Sequence, residues 1–176
     1  ISTETTVGYG DQELVLPNRI TIDTNGLLYI SDMATGRIVA INQSGQFVKN
    51  LNLNYDNAGR CLDMAIDSTG NLFYIMRSYG NQNQIYRFST VDGSGASFSG
   101  GYDNYEGVSR IAINSNDRVY LSAYNNSSTL KIYSFLSSAT SIGSGTTVSV
   151  VGGNNATKKV FDLQIDPSDQ LPIMAT

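Results

Sequence analysis

Residues 19–31 read Arg19-Ile-Thr-Ile-Asp23-Thr-Asn-Gly26-Leu-Leu-Tyr-Ile-Ser31. The first part alternates with period two, so Ile20 and Ile22 face one side and Thr21 faces the other, as in a β-strand. Asp23 and Gly26 then predict a tight turn, because an Asx side chain bonds the backbone ahead of it and glycine tolerates positive φ. A second apolar run follows, and the whole stretch is typical of a β-hairpin.

The first strand of this hairpin recurs along the chain. Its pattern is a polar residue, an apolar one, any residue, Ile, and then Asp or Asn; the further copies are Asp63-Met-Ala-Ile-Asp67, Arg110-Ile-Ala-Ile-Asn114 and Asp162-Leu-Gln-Ile-Asp166. Successive copies are separated by 44, 47 and 52 residues. A repeat of roughly 40–50 residues is the period of β-propeller blades.

Further strands recur in phase with the hairpin. A third strand is predicted at Arg37-Ile-Val-Ala-Ile41, Gln84-Ile-Tyr-Arg-Phe88 and Lys131-Ile-Tyr-Ser-Phe135, and a fourth at 45–51, 96–98 and 146–151. The sequence therefore predicts an all-β fold, a β-propeller of four-stranded antiparallel blades. We expect about three complete blades and a partial fourth, spanning approximately 17–53, 61–99, 108–151 and 160–176. They would form a single partial propeller domain over 1–176, a fragment of a larger propeller.

Between residues 7 and 51 the chain resembles NHL-repeat propellers. The matching elements follow the family order: Gly8-Tyr-Gly10, Pro17, Ile20-Thr-Ile-Asp23, Gly26-Leu-Leu-Tyr-Ile-Ser-Asp32, Gly36-Arg-Ile38 and Ser44-Gly-Gln46. The later blades depart from the family pattern at the positions of Asp32 and Arg37. The resemblance implies that Asp32 and Arg37 tie neighbouring strands within a blade. It also implies that an N-terminal strand at 3–7 helps to close the ring.

Composition narrows the classes of function. The net charge is −4 without a basic stripe, which argues against a nucleic-acid partner. Histidine is absent, which removes Ser-His-Asp and Cys-His catalysis and histidine-based zinc sites. The lone Cys61 forms no internal disulfide, and we interpret it as a small buried thiol. No apolar stretch approaches the roughly 18 residues of a membrane span. An enzyme is therefore the less favoured class.

The acidic and amide residues that begin the turns are the first candidate site. They are Asp23, Asp67, Asn114 and Asp166. Hairpin capping explains them, and with Asp32 and Arg37 we assign them structural roles. Their oxygens also make them candidate Ca²⁺ ligands, but no stretch matches a dense calcium-binding loop. We therefore predict no cofactor and no metal site, with Ca²⁺ as the alternative.

Tyrosines in the loops between predicted strands are the candidate binding residues: Tyr55, Tyr79, Tyr102, Tyr105 and Tyr124. Each lies beside Asn, Asp or Gly, and exposed tyrosine combines an apolar face with a polar tip. Such loops suit protein or glycan recognition. The alternative is that these rings fill gaps between blades.

Three functions remain open at this point. The leading interpretation is a non-enzymatic binding module, placed outside the cell or at its surface because the chain is rich in Asn, Ser, Thr and Gly. The alternatives are a propeller hydrolase, lactonase or lyase whose channel metal is held by Asp and Asn, such as Asn18, Asp63 and Asp162, and a structural repeat segment of a larger surface protein. Self-association through open blade edges is a further expectation.

Overall fold

The computed structural model describes residues 10, 12–52, 60–77, 83–92, 94–97, 108–124, 130–142, 148–149, 162–166, 168 and 172–175. Over these residues the regular structure consists of β-strands in four antiparallel sheets. The predicted all-β class with four-stranded antiparallel units is therefore confirmed. The predicted closing strand at residues 3–7 lies outside the described residues, and the division of the chain into domains stays a prediction.

Each sheet is a meander in chain order. Sheet 1 contains β1 (Pro17–Ile22), β2 (Leu28–Asp32), β3 (Arg37–Ile41) and β4 (Phe47–Asn52). Sheet 2 contains β5 (Arg60–Ile66), β6 (Asn71–Arg77), β7 (Asn83–Ser89) and β8 (Gly95–Ser97). Sheet 3 contains β9 (Arg110–Ile113), β10 (Arg118–Tyr124), β11 (Leu130–Leu136) and β12 (Val148–Ser149). Sheet 4 pairs β13 (Asp162–Ile165) with β14 (Pro172–Ala175).

Consecutive sheets stack face to face around their first strands. β1 contacts β5, β5 contacts β9, and β9 contacts β13. Strand β6 shows why the sheets stack in this way. Leu72 and Tyr74 pack towards sheet 1, whereas Phe73 and Ile75 pack towards sheet 3. Because successive side chains point to opposite faces, a strand covered on both sides is a continuous apolar run, as β6 is from Leu72 to Met76.

The antiparallel pairing divides the strand ends between two rims. The loop rim is where the first strand of each sheet begins and the second ends; the turn rim is the opposite side. The loop-rim partners are Pro17, Asp32, Arg37 and Asn52 in sheet 1, Arg60, Arg77 and Asn83 in sheet 2, and Tyr124 and Leu130 in sheet 3. Neighbouring sheets contact each other loop rim to loop rim and turn rim to turn rim. Asn18 donates to the carbonyl of Cys61 at the loop rim (2.5 Å), and Ser68 bonds Asp117 at the turn rim.

Candidate functional site

The four predicted turn residues occupy the same place at the turn rim. They are Asp23, Asp67, Asn114 and Asp166. In each, the Oδ1 atom accepts a hydrogen bond from the backbone N–H two residues ahead, at 2.5–3.2 Å. In the first three, Oδ1 also accepts from the N–H four residues ahead, at 2.8–2.9 Å. The residues that close these three turns, Gly26, Gly70 and Asp117, have positive φ.

The turn carboxylates are held by protein donors. Asp67 accepts the most hydrogen bonds of the three carboxylates. Thr69 and Asn71 each donate to it from their backbone N–H and from their side chain. Burial raises the pKa of Asp67, but hydrogen bonds from Asn71 and Thr69 outweigh burial and lower the pKa overall. Over the described ranges, no group of three or more His, Cys, Asp or Glu residues is placed to hold a metal ion.

Asn42 is a fifth turn residue that the sequence interpretation missed. It lies between β3 and β4, and its Oδ1 accepts the backbone N–H groups of Ser44 (3.0 Å) and Gln46 (2.9 Å). The signal was available in the sequence. Asn42 precedes Gly45 by three residues, as Asp23 precedes Gly26.

Asp32 and Arg37 are cross-strand neighbours at the loop rim, but their side chains bond the chain before β1. Asp32 Oδ2 accepts the backbone N–H of Val15 (3.1 Å) and Oδ1 accepts that of Leu16 (3.0 Å). Arg37 Nη2 donates to the carbonyl of Gly10 (2.7 Å) and to that of Glu13. The resemblance implied that Asp32 and Arg37 tie neighbouring strands within a blade; in the structure, both side chains anchor the residues that lead into β1.

Asp32 is almost fully buried, with 1% of its surface exposed. Burial raises the pKa of its carboxyl, but hydrogen bonds from the backbone N–H groups of Val15, Leu16 and Ala34 outweigh burial and lower the pKa below 3.8 overall. The carboxylate is therefore stabilised in its charged form by backbone donors that the fold aligns.

A charged position recurs near the start of the first strand of each sheet (β1, β5, β9 and β13, here called the inner strands), close to the loop rim. The first residue of the repeat pattern is Arg19, then Asp63, Arg110 and Asp162. Arg19 Nε lies 3.3 Å from Asp63 Oδ1, and the backbone N–H of Ile111 donates to Asp63 Oδ2 (3.0 Å). Burial raises the pKa of Asp63, although the Ile111 N–H and the charges of Arg110 and Arg19 oppose the shift. The alternation of sign was visible in the sequence, and the ion pair follows from stacking neighbouring sheets.

This geometry bears directly on the alternative of a metal in a propeller channel. Of the three candidates, Asn18 donates its side-chain amide to the carbonyl of Cys61, and Asp63 is bonded to Arg19 and to the Ile111 N–H. Asp162 begins β13, and its side chain lies outside the described residues. A cation at Asp63 would have to displace Arg19.

Four of the five loop tyrosines, Tyr55, Tyr79, Tyr102 and Tyr105, lie outside the described residues. Tyr124 is the last residue of β10, where its backbone pairs with Leu130 at the loop rim. The strand ends that flank the other four belong to the loop rim as well, since they are the ends of β4, β6 and β8 and the starts of β5, β7 and β9.

Comparison with known proteins identifies the fold. No family model matches the chain, and no curated protein matches it. Solved structures do match, including a streptogramin B lyase (TM-score 0.61, 15% identity, 94% of this chain and 49% of that one). The nidogen/laminin complex gives a TM-score of 0.61 at 15% identity, covering 89% of this chain and 54% of that one. A gluconolactonase from Xanthomonas campestris gives 0.59 at 13% identity, covering 87% and 54%.

The chain folds as part of a β-propeller. The predicted fold class is thus confirmed, and the chain spans about half the length of the propellers it matches. At 13–15% identity the likeness shows the fold alone, and the neighbours include both enzymes and a protein-binding propeller. Among the residues that the structure describes, no helix is long and apolar enough to cross a membrane.

Proposed function

We propose that this chain is a non-enzymatic binding module that works outside the cell or at its surface and recognises a protein or glycan at the loop rim. One observation carries the proposal. The carboxylates described near the inner strands and turns accept bonds from backbone donors, hydroxyls or arginine, which accounts for them within the fold. Recognition then falls to the loop rim, where we place Tyr55, Tyr79, Tyr102, Tyr105 and Tyr124. One of the neighbouring structures is a propeller in complex with a protein partner.

The proposal is tested by probing the purified chain with a glycan array and with a displayed peptide library. Replacing Tyr55, Tyr79, Tyr102 and Tyr105 together by alanine should abolish binding to whichever probe scores positive. A matched control replaces exposed apolar residues at the turn rim, Val91 (83% exposed) and Leu136 (49% exposed). Binding that survives the tyrosine replacement, or is lost equally in the control, contradicts the assignment.

The repeat is also proposed to be of the NHL type. The support is the ordered run of elements from Gly8 to Gln46. Asp32 and Arg37 belong to two elements of this run, and both hold residues 10–16, here called the lead-in segment, by hydrogen bonds. Replacing either residue by alanine should free this segment, measurable as faster amide hydrogen exchange at Val15 and Leu16.

A second candidate, a lactonase or lyase with a channel metal, rests on the names of two neighbours. Lactone hydrolysis assayed with and without Mg²⁺ or Ca²⁺ tests it. Activity that requires the cation and is lost on Asp63→Asn would favour the enzyme over the binding module. The third candidate is a structural repeat segment of a larger surface protein. It is favoured if neither probe binds and no turnover is detected.

A further inference from the structure

Sheet 1 has one apolar face that no other described sheet covers. Its sheet-2 face carries Tyr29, Ile38 and Ala40, all fully buried against sheet 2. The opposite face, here called the outer face, carries Val39 of β3, which is fully buried, and Ile20 and Ile22 of β1, which are 60% and 54% exposed. Exposure of this extent at two adjacent same-face positions of an inner strand marks an interaction surface.

The repeat shows what covers the equivalent face in every following sheet. The residues in register with Ile20 are Met64, Ile111 and Leu163, which are only 4–5% exposed. Each of the three packs in an apolar cluster with residues of the preceding sheet. The residues in register with Ile22 are Ile66, Ile113 and Ile165, and each packs against the same cluster as its neighbour.

We propose that the outer face of sheet 1 binds sheet 4 of a second copy of this chain, so that two copies form one ring about a shared axis. We infer the occupant from the interfaces between sheets that the chain already contains. The outer face carries apolar side chains at the same repeat positions that sheets 2, 3 and 4 bury against the sheet before them. The number of copies follows from size. One chain spans 49–54% of three propellers of this fold, so two copies supply about one ring.

The repeat also identifies the pair of residues that meet across this interface. In the pair of sheets 3 and 4, Ala112 of β9 lies in one cluster with Leu163 of β13. In the pair of sheets 2 and 3, Ala65 packs against the cluster that contains Ile111. Gln164 is in register with Ala65 and Ala112, and it is exposed. Gln164 of one copy should therefore contact Ile20 of the other, and the arrangement is head to tail.

The first test is the mass of the chain in solution, measured by analytical ultracentrifugation from about 1 μM to about 100 μM, where dimers of moderate affinity form. We expect the mass to rise from 19.0 kDa to twice that value. Ile20→Asp should weaken dimerisation by about thirtyfold or more, as expected of a buried interface residue, whereas Val91→Asp should not. Circular dichroism at low concentration checks that both variants fold, and Ile22→Asp replaces Ile20→Asp if it does not.

A mass that stays at 19.0 kDa over the whole range overturns the proposal. A dimer that Ile20→Asp leaves intact also overturns it. The head-to-tail arrangement is tested by oxidation of cysteine variants, since the buried Cys61 stays unreactive. Ile20→Cys with Gln164→Cys should give covalent dimers, and neither single variant should. Covalent dimers of Ile20→Cys alone would show a face-to-face dimer and contradict the proposal.

Discussion

Asp32→Asn tests how much the hydrogen bonds of the Asp32 carboxylate contribute to the stability of sheet 1. The carboxylate accepts three backbone hydrogen bonds, from Val15 on Oδ2 and from Leu16 and Ala34 on Oδ1, at 3.0–3.1 Å. An asparagine oxygen can keep the two bonds of Oδ1. Its amide nitrogen would then face the N–H of Val15, which places donor against donor at a site that is 1% exposed.

The magnitude follows from these contacts. One bond to a charged acceptor is lost and a buried donor is left without a partner, so we expect the free energy of unfolding to fall by about 2–3 kcal/mol. Urea unfolding followed by tyrosine fluorescence and circular dichroism measures it, since the chain has no tryptophan. The matched control is Asp23→Asn. Its oxygen can keep both turn bonds, as the amide oxygen of Asn114 does, and we expect a loss below about 1 kcal/mol.

The pH dependence gives an independent check of sign. The pKa of Asp32 is lowered in the folded state from 3.8, so its charge stabilises the fold above the unfolded pKa. That stability is lost as pH falls through the folded pKa. The difference between the wild type and Asp32→Asn should therefore be constant at neutral pH and shrink below pH 3.8. A loss for Asp32→Asn within about 0.5 kcal/mol of the control, or a deficit that persists in acid, would refute the reasoning.

Three further predictions concern other contacts. Asp117→Ala should cost about 1 kcal/mol more than Asp117→Gly, because both lose the bonds to Ser68 but only alanine is strained at φ 56°; equal losses in urea unfolding would contradict this. Arg19→Met should couple to Asp63→Asn by about 1 kcal/mol in a double-mutant cycle, since methionine alone removes the ion-pair partner of a carboxylate that is only 14% exposed; additive effects would contradict the pairing. Cys61 is 4% exposed and burial raises its pKa to about 12, so a thiol reagent at neutral pH should label it only as fast as the chain unfolds; rapid labelling of the folded chain would contradict this.

The strand pattern and the turns could be predicted from the sequence because both are local. Alternation with period two places Ile20 and Ile22 on one face, and the turn oxygen of Asp23 bonds donors only two and four residues ahead. Such contacts need nothing beyond the neighbouring residues. The same logic would have identified Asn42, whose turn has the same spacing.

The contacts that sequence reasoning missed join distant parts of the chain. Asp32 and Arg37 bond residues some twenty positions earlier, a choice that depends on the path of the chain before β1. Ser68 and Asp117 meet only because sheets 2 and 3 stack with like rims together. The repeat predicts that sheets stack, whereas the partner of each polar side chain also depends on the offset between the sheets.

Substitutions at the two rims should have different effects, on stability at the turn rim and on binding at the loop rim. At the turn rim, a side-chain oxygen bonds the backbone of its own turn, so few residue types fit and their loss lowers stability. At the loop rim, the paired strand ends fix where each connection begins and ends, and Asp32 anchors the residues that lead into β1. Under the proposed function, replacements of the loop tyrosines should change binding at constant stability. Replacements of the turn acids should change stability and leave the affinity of the folded fraction unaltered.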